Sequence, residues 1–278
     1  MSIPIPAMRK RKLFYEAMVI YLLCVLSYVM LTGVIYQYYE TIKADSFKPE
    51  KILLYLLYTA ELLFIVLFSP IFALKQFAAI DAKITKTHAT TVHSDTSFSN
   101  QFLFEIILKS FILLSIFHII SLFSIYKNTF FSFQGYLMML LVIFILSLFI
   151  AAFTSFLIFS SRNVSFSIAA VYITIIGIFG CVFFISPLLD LVSDPTCIIN
   201  LTLNINPMMA IASILKFDLL RWGIFYESSQ IGLFRFSYPH WSIHVLSYLA
   251  LFILFFAGTF LLSNYYKKIK KQEVVLTF

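Results

Sequence analysis

Apolar residues come in long unbroken runs along this chain, and polar residues gather between them. Six runs reach the roughly 20 apolar residues that a helix needs to cross a hydrocarbon layer. They cover approximately 13–37, 52–74, 106–126, 133–160, 165–187 and 241–266. None alternates apolar and polar residues strictly, so helices are expected rather than barrel strands. Two polar stretches stand out. One runs from Leu74 to Lys109, "LKQFAAIDAKITKTHATTVHSDTSFSNQFLFEIILK"; the other covers about 188–240. The connection between the fourth and fifth runs is minimal, roughly Ser161 to Val164.

Composition sharpens the class. The 278 residues are 61% hydrophobic and 12% charged, against about 45–50% apolar and about 25% charged in a soluble domain. There is too little polar surface to cover a water-soluble particle, so the expected fold class is an all-α integral membrane protein with six transmembrane helices in a single polytopic domain, 1–278. The net charge of +7 does not imply nucleic acid, because basic residues collect at the ends of spans. With both termini placed in the cytoplasm, 13 of the 20 Lys and Arg residues fall on inner segments and seven on outer ones. This orients the chain by the positive-inside bias. Arg9-Lys10-Arg11-Lys12 resembles the basic start of a signal peptide, but the run that follows is too long and lacks a small-x-small cleavage site. An uncleaved first span is therefore expected. The Leu74–Lys109 stretch then faces the cytoplasm, and 188–240 lies outside as the larger loop between spans five and six.

Chemistry-bearing motifs are scarce. The seven glycines cannot form a nucleotide-cradling G-x-x-x-x-G-K-[ST] loop, so any nucleotide hydrolysis needs another chain. There is no G-x-S-x-G elbow. His240 and His244 share a helix-face spacing, but Trp241 stands where a zinc protease has its glutamate. No metal site and no catalytic residue are assigned. Cys24, Cys181 and Cys197 have neither zinc-ligand nor disulfide spacing, and read as inert thiols.

Ionisable residues inside spans are the better flags, because burying them in lipid is costly. Glu61 sits near the middle of span two, as a lining group of a pathway or as a hydrogen-bonding tie between helices. His118, in mid-span three, is its candidate partner or a packing histidine. Pro70 removes a backbone bond in the last turns of span two and can kink the helix there. In the outer region Asn206 is a good N-cap and Pro207 fits the first helical position. The helix predicted over "MMAIASILKFDLLRW" is too short and too charged to span. It is expected along the outer interface, partly re-entrant, or as an ordinary capping helix.

Taken together, "SPIFALKQFAAID" leaving span two, Lys109 entering span three and "NINPMMAIASIL" after span five resemble the ABC-2-type transporter permeases, along the whole chain. Pro70 and Lys109 match positions of that pattern, and Asp81 stands where the family has an acidic residue. "KITKTHATTV" replaces its Gly-Thr segment. The resemblance implies a short cytoplasmic coupling helix near Phe77 to Thr87, docked on a separate ABC ATPase subunit. Phe77, Ile80 and Ile84 would be its anchors, with Asp81 and Lys109 beside them. It implies a second permease chain, as homodimer or heterodimer, and ATP and Mg bound only by the partner ATPase. The chain itself would bind no cofactor. Arg9 to Lys12 would lie along the inner surface on anionic lipid. The expected function is export across the cell membrane of a substrate the sequence does not identify; aromatic, apolar spans would suit an amphipathic one. An alternative is a membrane-embedded enzyme or assembly factor acting on lipid or lipid-linked substrates. That needs convergent acids at one depth, where the outer loop offers scattered Asp190, Asp194, Asp218 and Glu227. A scaffold or an ion-coupled carrier is the third class.

Overall fold

The structure is a computed structural model that describes residues 5–42, 49–87, 108, 111–112, 114–121, 133–161, 163–221, 230–234 and 236–276. The described residues form helices and turns with no strand among them. Long apolar runs favour helices in a lipid-like environment, because a helix satisfies its own backbone groups within one segment.

Helix α1 spans Ile5–Ile42 and α2 spans Pro49–Thr87. Helical residues 114–121 are designated α3 and belong to the predicted span 106–126, whose remaining residues are described only at 108, 111 and 112. Then follow α4 (Phe133–Ser161), α5 (Val164–Phe184), α6 (Ser186–Leu189), α7 (Thr196–Ile205), α8 (Pro207–Leu215) and α9 (Trp241–Leu276). Two 3₁₀ turns, Leu219–Arg221 and Gln230–Leu233, lie between α8 and α9. Five of the helices are long and apolar enough to cross a membrane, and the bent pair α7–α8 makes up to six. The fold is thus compatible with a multi-pass membrane protein.

Burial sorts the helices into an inner and an outer set. Within their apolar windows α2 is 72% buried and α4 67%, whereas α9 is 11%, α5 22% and α1 28%. Helices α2 and α4 are the axis, and the others turn broad apolar faces outward, as lipid-facing helices must. On α1 the buried positions Cys24, Tyr28, Thr32, Ile35 and Tyr39 recur at spacings of three and four, one face of a helix. Val19, Leu22, Leu26, Met30 and Val34 are exposed on the rest of it. Helices α4 and α9 run alongside through Phe149, Phe153 and Phe156 against Tyr248 and Phe255. Gly258 lets them approach closely, since a Cβ there would stand 2.9 Å from Phe156.

The α4–α5 turn is as tight as the sequence predicts. Asn163 caps α5 by accepting from the Phe166 amide at 3.1 Å, and the Ser161 and Ser167 hydroxyls bond each other at 2.8 Å. Pro70 does not end α2, which continues to Thr87. The Ser69 hydroxyl donates to the Ile65 carbonyl at 2.8 Å, and Tyr172 of α5 donates to the Leu67 carbonyl at 3.0 Å. Both carbonyls flank that of Val66, the one whose helical donor Pro70 removes. The separate short helix expected near Phe77 to Thr87 is instead the last turns of α2. The ladder has no breaker to interrupt it after Pro70.

The helix after Asn206 also differs from expectation. It stops at Leu215 rather than running on to Trp222, because Lys216 takes a left-handed conformation at φ 49°. The Phe217 amide closes back on the Ala212 carbonyl at 2.9 Å, the 6→1 bond of a Schellman cap. A non-glycine residue in this conformation is strained by about 1 kcal/mol. Lys216→Gly is therefore expected to stabilise the protein by about 1 kcal/mol, and Lys216→Val to destabilise it, in equilibrium unfolding of the detergent-solubilised chain. Because its charged neighbours fall outside it, α8 is almost wholly apolar: Met209, Ala210, Ile211, Ala212 and Leu215 are buried against α2, α4 and α9.

Candidate functional site

The site grows from the least comfortable residue in the bundle. Glu61 lies mid-way along the apolar window Glu50–Ile71 of α2, about 16 Å from either end at 1.5 Å per residue. It is fully buried, and Leu57, Leu62 and Ile65 beside it are equally inaccessible. A lone carboxylate there would be prohibitive, so it must be met by donors. Two come from α3. His118 Nδ1 is 2.9 Å from Oε1, and the Ser121 hydroxyl donates to Oε2 at 3.1 Å. Their spacing of three places both on one helix face. The Tyr28 hydroxyl of α1 lies 2.6 Å from the Ser121 oxygen. Since Ser121 uses its hydrogen on Glu61, Tyr28 donates to Ser121. One polar chain thus ties three helices: Tyr28 to Ser121 to Glu61, with His118 on the other carboxyl oxygen.

Aromatic rings enclose the chain. Tyr28 stacks on Phe117 at 4.5 Å between centroids and meets Phe64 edge-on at 5.5 Å. Tyr136 of α4 lies 4.0 Å from the His118 ring, and Tyr58 of α2 at 5.9 Å. His118 is 2% exposed, and its second nitrogen, Nε2, has no hydrogen-bond partner. Among the described residues Glu61 is the only buried carboxylate, and no lysine or arginine is buried.

A second polar arrangement holds the elbow between α7 and α8, where the chain turns by 86°. Asn206 is the pivot. Its Oδ1 accepts from the Met208 amide at 2.9 Å and caps α8, while its Nδ2 donates to the Phe179 carbonyl of α5 at 2.9 Å. Tyr248 of α9 donates to the Ile205 carbonyl. The far end is pinned as well, by Lys51 Nζ on the Lys216 carbonyl at 3.1 Å and by Tyr55 against Phe217. Every one of these partners lies in the part of its helix nearest the α1–α2 connection. Helix α8 is accordingly pinned across that end of the bundle, as the second arm of a bent pair that forms a broken span or a re-entrant loop. Beyond it, the Tyr238 hydroxyl donates to Asp218 at 2.9 Å and accepts from the Leu220 amide at 2.9 Å. Burial, with the Asp218 carboxylate beside it, pushes the Tyr238 phenol up. The exposed Asp194 carboxyl accepts the Thr196 amide at the start of α7 and is held below the usual range.

Of the residues singled out by sequence, the fold brings Glu61 and His118 together. Pro70 lies nine residues further along α2, away from them. Asn206 and Pro207 form the elbow. The backbone carrying Phe77, Ile80, Asp81 and Ile84 is helical, and their side chains, like Lys109, lie outside the described residues. His240 precedes α9 and bonds Ser242 at 2.7 Å; His244 is fully buried and both its ring nitrogens lack partners. Sequence reasoning missed Ser121, Tyr28 and Tyr136. Ser121 was within reach, three residues from His118 on one face. Tyr28 was not, among 16 tyrosines.

Fold and site together define a helical chain, compatible with a multi-pass membrane protein, with a polar joint mid-way along α2 and a bent helix pair packed at one end. No family model, characterised protein or solved structure matches it.

Proposed function

We propose that the chain is the transmembrane permease subunit of an ATP-driven transporter of the ABC-2 type, powered by a separate cytoplasmic ATPase. The observation that carries this reading is the length of α2. The helix leaves its apolar window at Ile71 and continues 16 residues to Thr87, a projection of about 24 Å. It carries Lys75, Asp81, Lys83 and Lys86. A helix that emerges from an apolar bundle and stays ordered with a polar sequence is suited to lie against a soluble partner. It projects from the end of the bundle where the basic start of α1 and the lysine-rich end of α9 also lie in the six-span arrangement. The positive-inside bias makes that end cytoplasmic.

On this reading the partner ATPase binds ATP and Mg, and its closure pushes the α2 projection. Force passes along one uninterrupted helix to Glu61, where α1, α2 and α3 are tied. The α8 plug closes the opposite, outer end. A second permease chain completes the pathway, and a lipid-like or amphipathic substrate suits the aromatic interior. The test is capture of the ATPase by the tagged full chain in mild detergent. Phe77→Glu or Ile80→Glu is expected to reduce the captured ATPase at least tenfold while membrane insertion is unchanged. Undiminished capture would remove the docking assignment.

A further inference from the structure

We infer that the Glu61–His118 pair is a proton-binding site: the closed bundle holds one proton on the pair and gives it up only when α1, α2 and α3 separate. The inference stands independently of the permease reading.

Glu61 and His118 share a 2.9 Å contact, and both are sealed from solvent. Three proton counts are available to them. With none, a carboxylate faces a neutral imidazole and the cluster has charge −1. With two, a carboxylic acid faces an imidazolium and the charge is +1. With one, the pair is neutral overall, whether the proton resides on oxygen or on nitrogen. Among the described residues no other buried charged group offsets an excess. The titratable groups facing the pair are phenols: Tyr28 on α1, Tyr58 on α2 and Tyr136 on α4. From α3 the neighbour is the uncharged Ser121. A net charge at mid-depth in such surroundings is costly, so the one-proton state is held. Opening the joint admits water. Above about pH 6.5 the proton then passes to the bulk, leaving a solvated carboxylate and a neutral imidazole. His118 Nε2, turned away from Glu61 and unpartnered, is the atom best placed to receive or release it.

The sign can be worked out from ordinary solution values of about 4.3 for Glu and 6.5 for His. An unfolded pair holds one proton between these values and none above about pH 6.5, while the native pair holds one throughout. Native stability is therefore level between them and falls above about pH 6.5. Glu61→Gln keeps the shape and the bonds but leaves a neutral buried imidazole. Its stability rises up to about pH 6.5 and is level above.

The experiment is equilibrium unfolding of the full chain in mixed micelles from about pH 5 to pH 8.5. The ratio of the wild-type to the Glu61→Gln unfolding constant is expected to rise about tenfold per pH unit. His118→Gln serves as a second variant: Glu61 then holds the proton alone, and the decline begins near about pH 4.3 instead of 6.5. Wild-type and Glu61→Gln curves that run parallel above about pH 6.5 would overturn the proposal, because the native pair would then hold no proton. ATPase capture, scored separately, reports on the docking reading and not on this one.

Discussion

Glu61→Ala is expected to destabilise the protein by about 3–5 kcal/mol, from two buried groups left without their acceptor and from the cavity the side chain vacates. Interhelical hydrogen bonds in membranes average only about 0.6 kcal/mol, and by that measure the loss would be small. Glu61 is different because it is the shared acceptor of two donors on another helix. Its removal strands the Ser121 hydroxyl and His118 Nδ1 in surroundings where no water reaches them. It also leaves a void under Tyr58 and Leu62. Glu61→Gln retains an acceptor and a donor in the same volume and is expected to cost about 1 kcal/mol. A double replacement by apolar residues, Glu61→Leu with His118→Leu, should recover most of the loss. Exchanging a buried pair for packed hydrophobic groups is often neutral, and the double variant leaves only one hydroxyl hydrogen of the Tyr28–Ser121 pair without an acceptor. Size-exclusion profiles and unfolding midpoints in mild detergent measure all three. A Glu61→Ala protein as stable as the parent would show that the polar chain holds nothing together.

Asn206→Ala is expected to cost about 2–3 kcal/mol, concentrated at one end of the bundle. Losing the N-cap accounts for about 1 kcal/mol. The rest comes from the Phe179 carbonyl, which loses its Nδ2 donor at the elbow. Asn206→Asp separates the two contributions, since it keeps the capping oxygen but cannot donate to Phe179. It should fall between wild type and Ala. Tyr248→Phe, which removes the bond to Ile205, should weaken the same elbow by about 1 kcal/mol. Cys197 is exposed and Cys181 half-buried near the pivot. Cys181 alkylation rates in Asn206→Ala therefore report whether α8 has lifted from α2 and α4. Global unfolding with no selective gain at Cys181 would place the role of Asn206 in the whole fold rather than in the plug.

Much of this was legible in the residues, and the reasons differ from place to place. Helix α4 and the α4–α5 turn could be read directly, because an uninterrupted apolar run admits one backbone solution and Asn163 stands where a cap is needed. Glu61 could be singled out because a mid-span carboxylate is expensive wherever it points. The pairing with His118 was one of two open readings, since spacing along separate helices says nothing of their relative rotation. The end of α8 was misread because Lys216, Asp218 and Arg221 continue a helical pattern in sequence. The left-handed turn at Lys216 is a tertiary choice, stabilised by Lys51 from another helix. The unity of α2 was also hidden, because its polar second half looks like a separate element.

By itself the sequence determined that the described residues fold into helices with apolar surfaces, that five of the apolar runs form helices long enough to cross a membrane, and which ionisable residue must find partners among them. Those outcomes depend on local composition and on the cost of leaving polar groups bare. Only the tertiary structure decided that Ser121 and His118 converge on Glu61 with Tyr28 behind Ser121, that α8 is buried against α2, α4 and α9, and that α2 and α4 form the axis. Each depends on how helices rotate and pack against one another, and a single strand of residues does not encode that locally.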